Sequence, residues 1–295
     1  MVPLLGVPNF SEGRDRAVIG RIGTSLAGHA DLLDRHTDSD HNRTVFTLCA
    51  VPGSLRDALI EGARAAIETI DMSAHAGVHP AVGALDVCPV VWADPALREA
   101  ALGEARAVGE RIAGLGIPVF AYGELASAPE RAERAHFRKG GLAELWQRME
   151  SGELRPDWGP PLPHRSAGAT LLTARPPMAA FNVELDTADV GVARGVAARL
   201  REAGGGIAGV RAIGLPLSSG RAQVSTNVHD PVAVPLGAVV ERVRQLAEPL
   251  GARPVEAELV GLVPEAALAG YPSDVPIRGL DPGASVIERR LAARG

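Results

Sequence analysis

What most restricts the fold of this chain is a pattern of elements that occurs twice, in the same order, although the residues themselves do not repeat. The first copy opens on a short apolar strand, Val2 to Val7. It continues into a helix whose Val18, Ile19, Ile22 and Leu26 fall three and four apart on one face. Strand patterns follow at Asp31 to His36 and Arg43 to Val51. Ser54 stands where it would N-cap a second helix, on which Leu55, Leu59, Ala63, Ala66, Ile67 and Ile70 keep the helical period. A strand from Ala84 to Trp92 closes the copy. The second copy has a strand at Met178 to Leu185, a helix carrying Val192, Val196 and Leu200, and strands at Val210 to Leu215 and Ala222 to Val228. Gly204-Gly205-Gly206 reads as the C-terminal stop of that helix, because glycine accepts the left-handed conformation a cap needs. A helix marked by Leu236, Val239, Val240, Val243, Leu246 and Leu250 then leads to a strand at Val255 to Val263. Both copies are βαββαβ, the split βαβ or ferredoxin-like order, in which two helices cover one face of an antiparallel sheet. The expectation is an α+β chain of two ferredoxin-like subdomains in tandem, residues 1–177 and 178–295, with a ligand cleft between them.

Between the copies, Asp94 to Arg175 holds a helix around Ala96 to Ile112, a strand at Ile117 to Tyr122 and a helix near Gly140 to Met149. Arg155 to Gly168 follows, with prolines at 156, 160, 161 and 163. That density excludes a regular helix or a central strand, so the segment is an extended connector. It is either a plain linker or, given its length and Trp158, a loop that lines the cleft.

Composition removes several classes of function. A net charge of −5 and a single lysine, Lys139, leave no basic stripe for nucleic acid. No apolar run approaches the ~18 residues of a membrane span, and Met1 to Gly6 lacks the basic and apolar regions of a secretory leader. Cys49 and Cys88 each lie in an apolar, strand-like run, which reads as buried thiols in a reducing cytoplasm.

Chemistry-bearing residues gather in three places. The stretch from Asp71 to Asp86 carries His75 and His79 among glycines, with Pro80 biasing His79 toward an extended backbone. An imidazole on a short restricted loop suits acid–base chemistry near neutral pH, and a structural or surface histidine is the competing reading. His36, Asp38, Asp40 and His41 lie within six residues and read as metal ligands or as a strand-to-strand turn. Together with an H-x3-H pair at His75 and His79, were that helical, they would support a metal-dependent hydrolase. Gln223, Ser225 and Asn227 alternate along one strand. They are either an edge facing solvent or neutral hydrogen-bonding groups for a heterocycle or amide.

Several stretches, in order along nearly the whole chain, resemble the glutamate formiminotransferase family, the folate-dependent enzyme also found at the front of formiminotransferase-cyclodeaminase. They are Val7 to Gly13, Asn42-Arg43-Thr44-Val45, Asp71 to Pro89, Pro156 to Pro160, Ala167 to Thr170, Ala180-Phe181-Asn182, Gln223 to Asn227 and Leu259 to Pro264. The resemblance implies transfer of a formimino group between N-formimino-L-glutamate and tetrahydrofolate, without a metal, by a homodimer. The histidine of the His-Pro pair, His79, takes the catalytic role, and His36 falls where some relatives carry an assisting aspartate, with Asp38 nearby. The implied folate contacts are Trp158, Gly159, Pro160, His164, Arg165, Ser166, Gly168, Gln223, Ser225, Asn227 and Glu258, the last standing in place of a glutamine. Substrate contacts are implied at Asn9, Asn42, Arg43 and His75. No cyclodeaminase segment follows, so the chain resembles the stand-alone type. The stretch from Gly204 to Arg221 is shorter and less basic than in animal relatives, which keeps transfer to or from another amine as an alternative. A non-catalytic folate-binding module is a further one.

Overall fold

The computed structural model describes residues 3–294, and the chain falls into two units, Met1–Pro176 and Pro177–Gly295. In the first, the apolar opening makes two short strands instead of one, β1 (Leu4–Gly6) and β2 (Asn9–Phe10). Pro8 lies between them and has no N–H to give to a ladder, so the strand breaks there. Val2, expected in this strand, lies outside the described residues. Helix α1 (Arg16–Ala27) is capped by Asp15 and buries Ile19, Ile22 and Leu26. The chain returns through β3 (Asp31–Asp38) and β4 (Arg43–Ala50), crosses in α2 (Ser54–Thr69) and comes back as β5 (Leu85–Val91). The two pieces of the first strand lie between β4 and β5, antiparallel to both, and β3 pairs with β4.

Ser54 does not cap α2; it is the first helical residue, and Gly53 before it has φ 90°. The cap comes from a distant side chain. Glu104, on α3 (Arg98–Ala113), accepts at one carboxylate oxygen from the amides of Gly53 (2.7 Å) and Arg56 (2.9 Å). Both amides lack intrahelical partners, and the positive end of the helix dipole favours a carboxylate there.

Beyond α3 come β6 (Val119–Ala121), the short helices α4 (Ala135–Arg138) and α5 (Gly141–Glu150), and β7 (Thr170–Arg175). Residues 155–168 contain no helix or extended strand. Neither α4 nor β7 was anticipated. β7 runs parallel to both β5 and β6, so the sheet order is β3-β4-(β1, β2)-β5-β7-β6. Parallel strands are covered on both faces. Cys88, Val90, Leu172 and Ala174 join the core formed with α1, α2 and α3. Val87, Leu171 and Phe120 join a second cluster with Phe137, Leu145 and Met149 of α4 and α5. Cys49 and Cys88 are fully buried in β4 and β5 and form no disulfide. Burial pushes the Cys88 thiol up to about 12.

The second unit runs β8 (Ala179–Leu185), α6 (Val190–Leu200), β9 (Val210–Pro216), β10 (Ala222–Val228), α7 (Leu236–Ala247) and β11 (Pro254–Val260). Its sheet is antiparallel, in the order β11-β8-β10-β9. The three glycines do not stop α6. It ends at Leu200, where Arg201 turns extended, and the glycines close a separate tight turn in which Gly205 is left-handed. Phe181, Val183 and Leu185 meet Val196, Leu200, Val239 and Val243 in its core. Two short helices follow, α8 (Pro282–Ser285) and α9 (Ile287–Ala292). No helix among the described residues is long and apolar enough to cross a membrane.

Candidate active site

The loop joining α2 to β5 is not helical at His75 or His79, so these rings do not form an H-x3-H pair on one helix face. Backbone hydrogen bonds pin it on two sides. Val78 N–H donates to Asp40 in the β3–β4 turn (3.1 Å), and Met72 N–H donates to the carbonyl of Ser166 in the proline-rich connector (2.7 Å). Ala84 N–H reaches Ala167 O, and Ala169 N–H reaches Val82 O, both at 2.9 Å. The approach is close enough that a Cβ on Gly83 would lie 1.8 Å from the Ala169 carbonyl oxygen. Gly168 faces the same junction with φ 68°, a conformation that favours glycine.

His79 is half-buried, and its Nδ1 lies 2.9 Å from the carbonyl oxygen of Pro80. A carbonyl only accepts, so Nδ1 carries the hydrogen and Nε2 keeps its lone pair. Burial, reinforced by the charges of Arg43 and Arg138 and by His41, sets the imidazole well below its ordinary 6.5. At neutral pH the ring is a neutral base with a defined tautomer.

Around it are groups that sequence reasoning assigned only in part. Arg43, at the start of β4, donates from Nε and Nη2 to Asn9 Oδ1 (3.1 and 2.9 Å) and from Nη1 to Asp86 Oδ2 (2.8 Å). Asp86 is fully buried in β5 and accepts the Val82 amide at Oδ1 (2.8 Å) and Arg138 at Oδ2. Burial raises its pKa, but Arg138, Arg43 and the Val82 amide outweigh that and hold it at about 2. Neither Asp86 nor Arg138 was picked out from the sequence. The available signal was a charged residue inside an otherwise apolar strand, since a buried charge needs a partner.

In the sequence His41 is only part of a metal-or-turn cluster. The structure buries it, with Nδ1 3.8 Å from Asp38 Oδ2 and its ring centroid 5.7 Å from that of His79. Its Nε2 is buried without a hydrogen-bond partner among the described residues. Asp38, the last residue of β3, also accepts the His41 amide (2.8 Å), while half-buried His36 lies two residues earlier opposite Val45. Asn42 takes a positive φ of 48° and ties three segments together. Its Oδ1 accepts from Gly13 N (2.9 Å), and its Nδ2 approaches Ala76 O and His75 Nδ1, each at 3.3 Å. Burial lowers the pKa of His75.

In the connector, His164 and Gly168 exchange backbone hydrogen bonds of 2.8 Å, and His164 Nδ1 accepts the Ala167 amide (3.1 Å), so its Nε2 carries the hydrogen. Ser166 is half-buried, Pro160 half-buried, and Gly159 and Arg165 are exposed. Trp158 packs its indole on α3, where a Cβ at Gly109 would come within 2.9 Å of the ring. In the second unit, β10 lies between β8 and β9 and is therefore no sheet edge. Gln223 is buried, and its side-chain carbonyl oxygen has no hydrogen-bond partner among the described residues. Ser225 and Asn227 are half-buried. Opposite them on β8, Asn182 donates to Glu258 Oε2 at 3.1 Å, while buried Glu184 pairs with Arg221 and Arg278.

Residues 4–175 match the family model described as formiminotransferase domain, N-terminal subdomain, and residues 180–271 match formiminotransferase domain. The chain belongs to the formiminotransferase family. This family member is 36% identical to a glutamate formimidoyltransferase of Thermoplasma acidophilum, over 97% of this chain and 96% of that one. It is 38% identical to the glutamate formimidoyltransferase of Streptococcus pyogenes serotype M1, over 89% of each chain. A formimidoyltransferase-cyclodeaminase of Gallus gallus is also 38% identical, over 89% of this chain and 50% of that longer protein.

Proposed function

We propose that this formiminotransferase-family chain transfers a formimino group between N-formimino-L-glutamate and tetrahydrofolate, with His79 moving the protons. The observation that carries the reading is the His79 ring itself, held by Pro80 as a neutral base with Nε2 unprotonated, beside a buried arginine–carboxylate network. Formimino transfer requires that the attacking nitrogen lose a proton and the departing amine gain one. A single neutral imidazole serves both needs, its Nε2 accepting the first proton and returning it to the leaving nitrogen, a shuttle worth roughly 10²–10⁴-fold. Fixing both reactants in one orientation supplies the larger share of the rate. The buried carbonyl oxygen of Gln223, without a hydrogen-bond partner among the described residues, fits a ligand rich in N–H donors, such as a reduced pterin. Ser225, Asn227 and Glu258 on that sheet, and the connector from Trp158 through Gly168, are proposed as further folate contacts. Asn9, Asn42, Arg43 and His75 are proposed toward the amino-acid substrate.

Each half is proposed to be a ferredoxin-like subdomain, residues 1–177 and 178–295. In support, each unit places its first strand between its third and fourth, with the second outside the third. A cytoplasmic homodimer is proposed on the family resemblance, with two buried thiols outside any disulfide fitting a reducing compartment.

The deciding assay incubates the purified protein with tetrahydrofolate and a formimino donor and measures the 5,10-methenyl product after acid. His79→Ala should keep tetrahydrofolate binding and lose at least ~100-fold in rate, and near-native turnover overturns the assignment. A signal confined to another formimino amine replaces glutamate with that amine. Activity abolished by chelator favours the metal-dependent hydrolase.

A further inference from the structure

Asp86 faces two guanidinium groups with one negative charge. Its Oδ2 accepts from both Arg43 and Arg138, and its Oδ1 is taken by the Val82 amide. All three side chains are withdrawn from solvent, Arg43 and Arg138 at 10% exposure and Asp86 at 0%. With His79 neutral beside them, this group carries one positive charge in excess, and an uncompensated buried charge costs several kcal/mol. Burial, with repulsion from Arg43 and Arg134, pulls the Arg138 guanidinium down to about 10 even with Asp86 against it.

The donors are unequally used. Arg43 commits Nε and Nη2 to Asn9 and Nη1 to Asp86. Arg138 commits Nη2 to Asp86, while its Nε is buried with no hydrogen-bond partner among the described residues. An orphaned guanidinium donor and an unbalanced positive charge, both near the proton-transfer ring, call for the same complement. That complement is a ligand carboxylate, the group whose geometry a guanidinium fork matches.

We propose that Arg138, backed by Arg43 and aligned by Asp86, is the carboxylate subsite beside His79, and that it selects a formimino donor bearing an amino-acid carboxylate. The proposal rests on the formimino-transfer reading and makes the glutamate skeleton, and not the formimino carbon alone, the recognised part. The same chemistry exists in the glutamate tail of the folate, so the experiment separates the two sources.

Kinetics of the full chain are compared for wild type, Arg138→Gln and Arg138→Lys, with N-formimino-L-glutamate or carboxylate-free formamidine as donor. Tetrahydrofolate or a tetrahydropterin without the benzoylglutamate tail serves as acceptor. A hydrogen bond to a charged group is worth about 1.5–3 kcal/mol, so Arg138→Gln should raise KM for N-formiminoglutamate by about 10- to 150-fold. The effect should fall on carboxylate-bearing donors, raising the ratio of the KM for N-formiminoglutamate to that for formamidine by at least about tenfold, and Arg138→Lys should recover part of the loss. A rise in KM confined to tetrahydrofolate, absent with the tail-less pterin, keeps the carboxylate subsite and assigns it to the folate tail. Equal effects on substrates with and without carboxylates overturn it.

A second measurement needs no turnover. Glutarate at millimolar concentration should raise the melting temperature of the wild type and leave Arg138→Gln unmoved, or Arg138→Lys should this alone fold. No glutarate shift in the wild type overturns the subsite, whereas a shift without any formimino transfer refutes the reaction and leaves the subsite standing.

Discussion

Replacing Asp86 with asparagine keeps the shape of the side chain and removes the one charge that balances Arg43 and Arg138. Breaking a buried pair by deleting one partner costs about 3–5 kcal/mol. Proton linkage gives a second figure. A carboxyl held at about 2 instead of its ordinary 3.8 contributes about 2.4 kcal/mol at neutral pH. Because the folded pKa is the lower one, that stability is present above the ordinary value and is lost as pH falls through about 2. The readout is built in, since Trp92, Trp146 and Trp158 are the chain's tryptophans and all fall in the first unit. Indole fluorescence in urea therefore follows that unit alone. At pH 7, Asp86→Asn should lose about 2–5 kcal/mol, and between about pH 4 and 2 its stability should fall less steeply than that of wild type. A variant within about 1 kcal/mol of wild type, with the same acid limb, would refute the coupling of these buried charges.

Three further outcomes follow from the geometry. Since His79 titrates well below 6.5, the basic form persists as pH drops, so kcat/KM should stay level through 6.5. A pH–rate profile that halves near 6.5 contradicts this. Glu104→Ala strips α2 of its cap and leaves the Gly53 and Arg56 amides without that acceptor. The expected cost is about 1–3 kcal/mol, measured by urea titration. Gly83→Ala drives a Cβ to 1.8 Å from the Ala169 carbonyl. It should cost upwards of about 3 kcal/mol and speed proteolysis within residues 155–168, and wild-type resistance would count against the packing described.

Elements with strong periodicity were legible in the sequence: α1 buries Ile19, Ile22 and Leu26, and α7 buries Val239, Val240, Val243 and Leu246 as spaced. Order within a copy followed too, because each strand and helix announces itself locally. The failures share a cause, which is that the deciding partner lies far along the chain. Ser54 looks like a cap, yet Glu104 reaches in from another helix. Thr170 to Arg175 carries no strand alternation because, as a parallel strand, it is buried on both sides, Thr170 and Thr173 included. His79 stands out by local context, whereas Asn42 and Arg43 enter through the family resemblance. By contrast, Asp86, Arg138 and His41 are brought to His79 by strand pairing and by the placement of α4, which no spacing encodes.

The two cysteines have a use unconnected with chemistry at the site. Cys49 and Cys88 are fully enclosed, and the Cys88 sulfur holds its proton to about pH 12. A colorimetric thiol reagent added to the native protein therefore waits until β4 or β5 is exposed. The lag before colour develops clocks how often the first sheet comes apart, while the cysteine-free second unit stays silent.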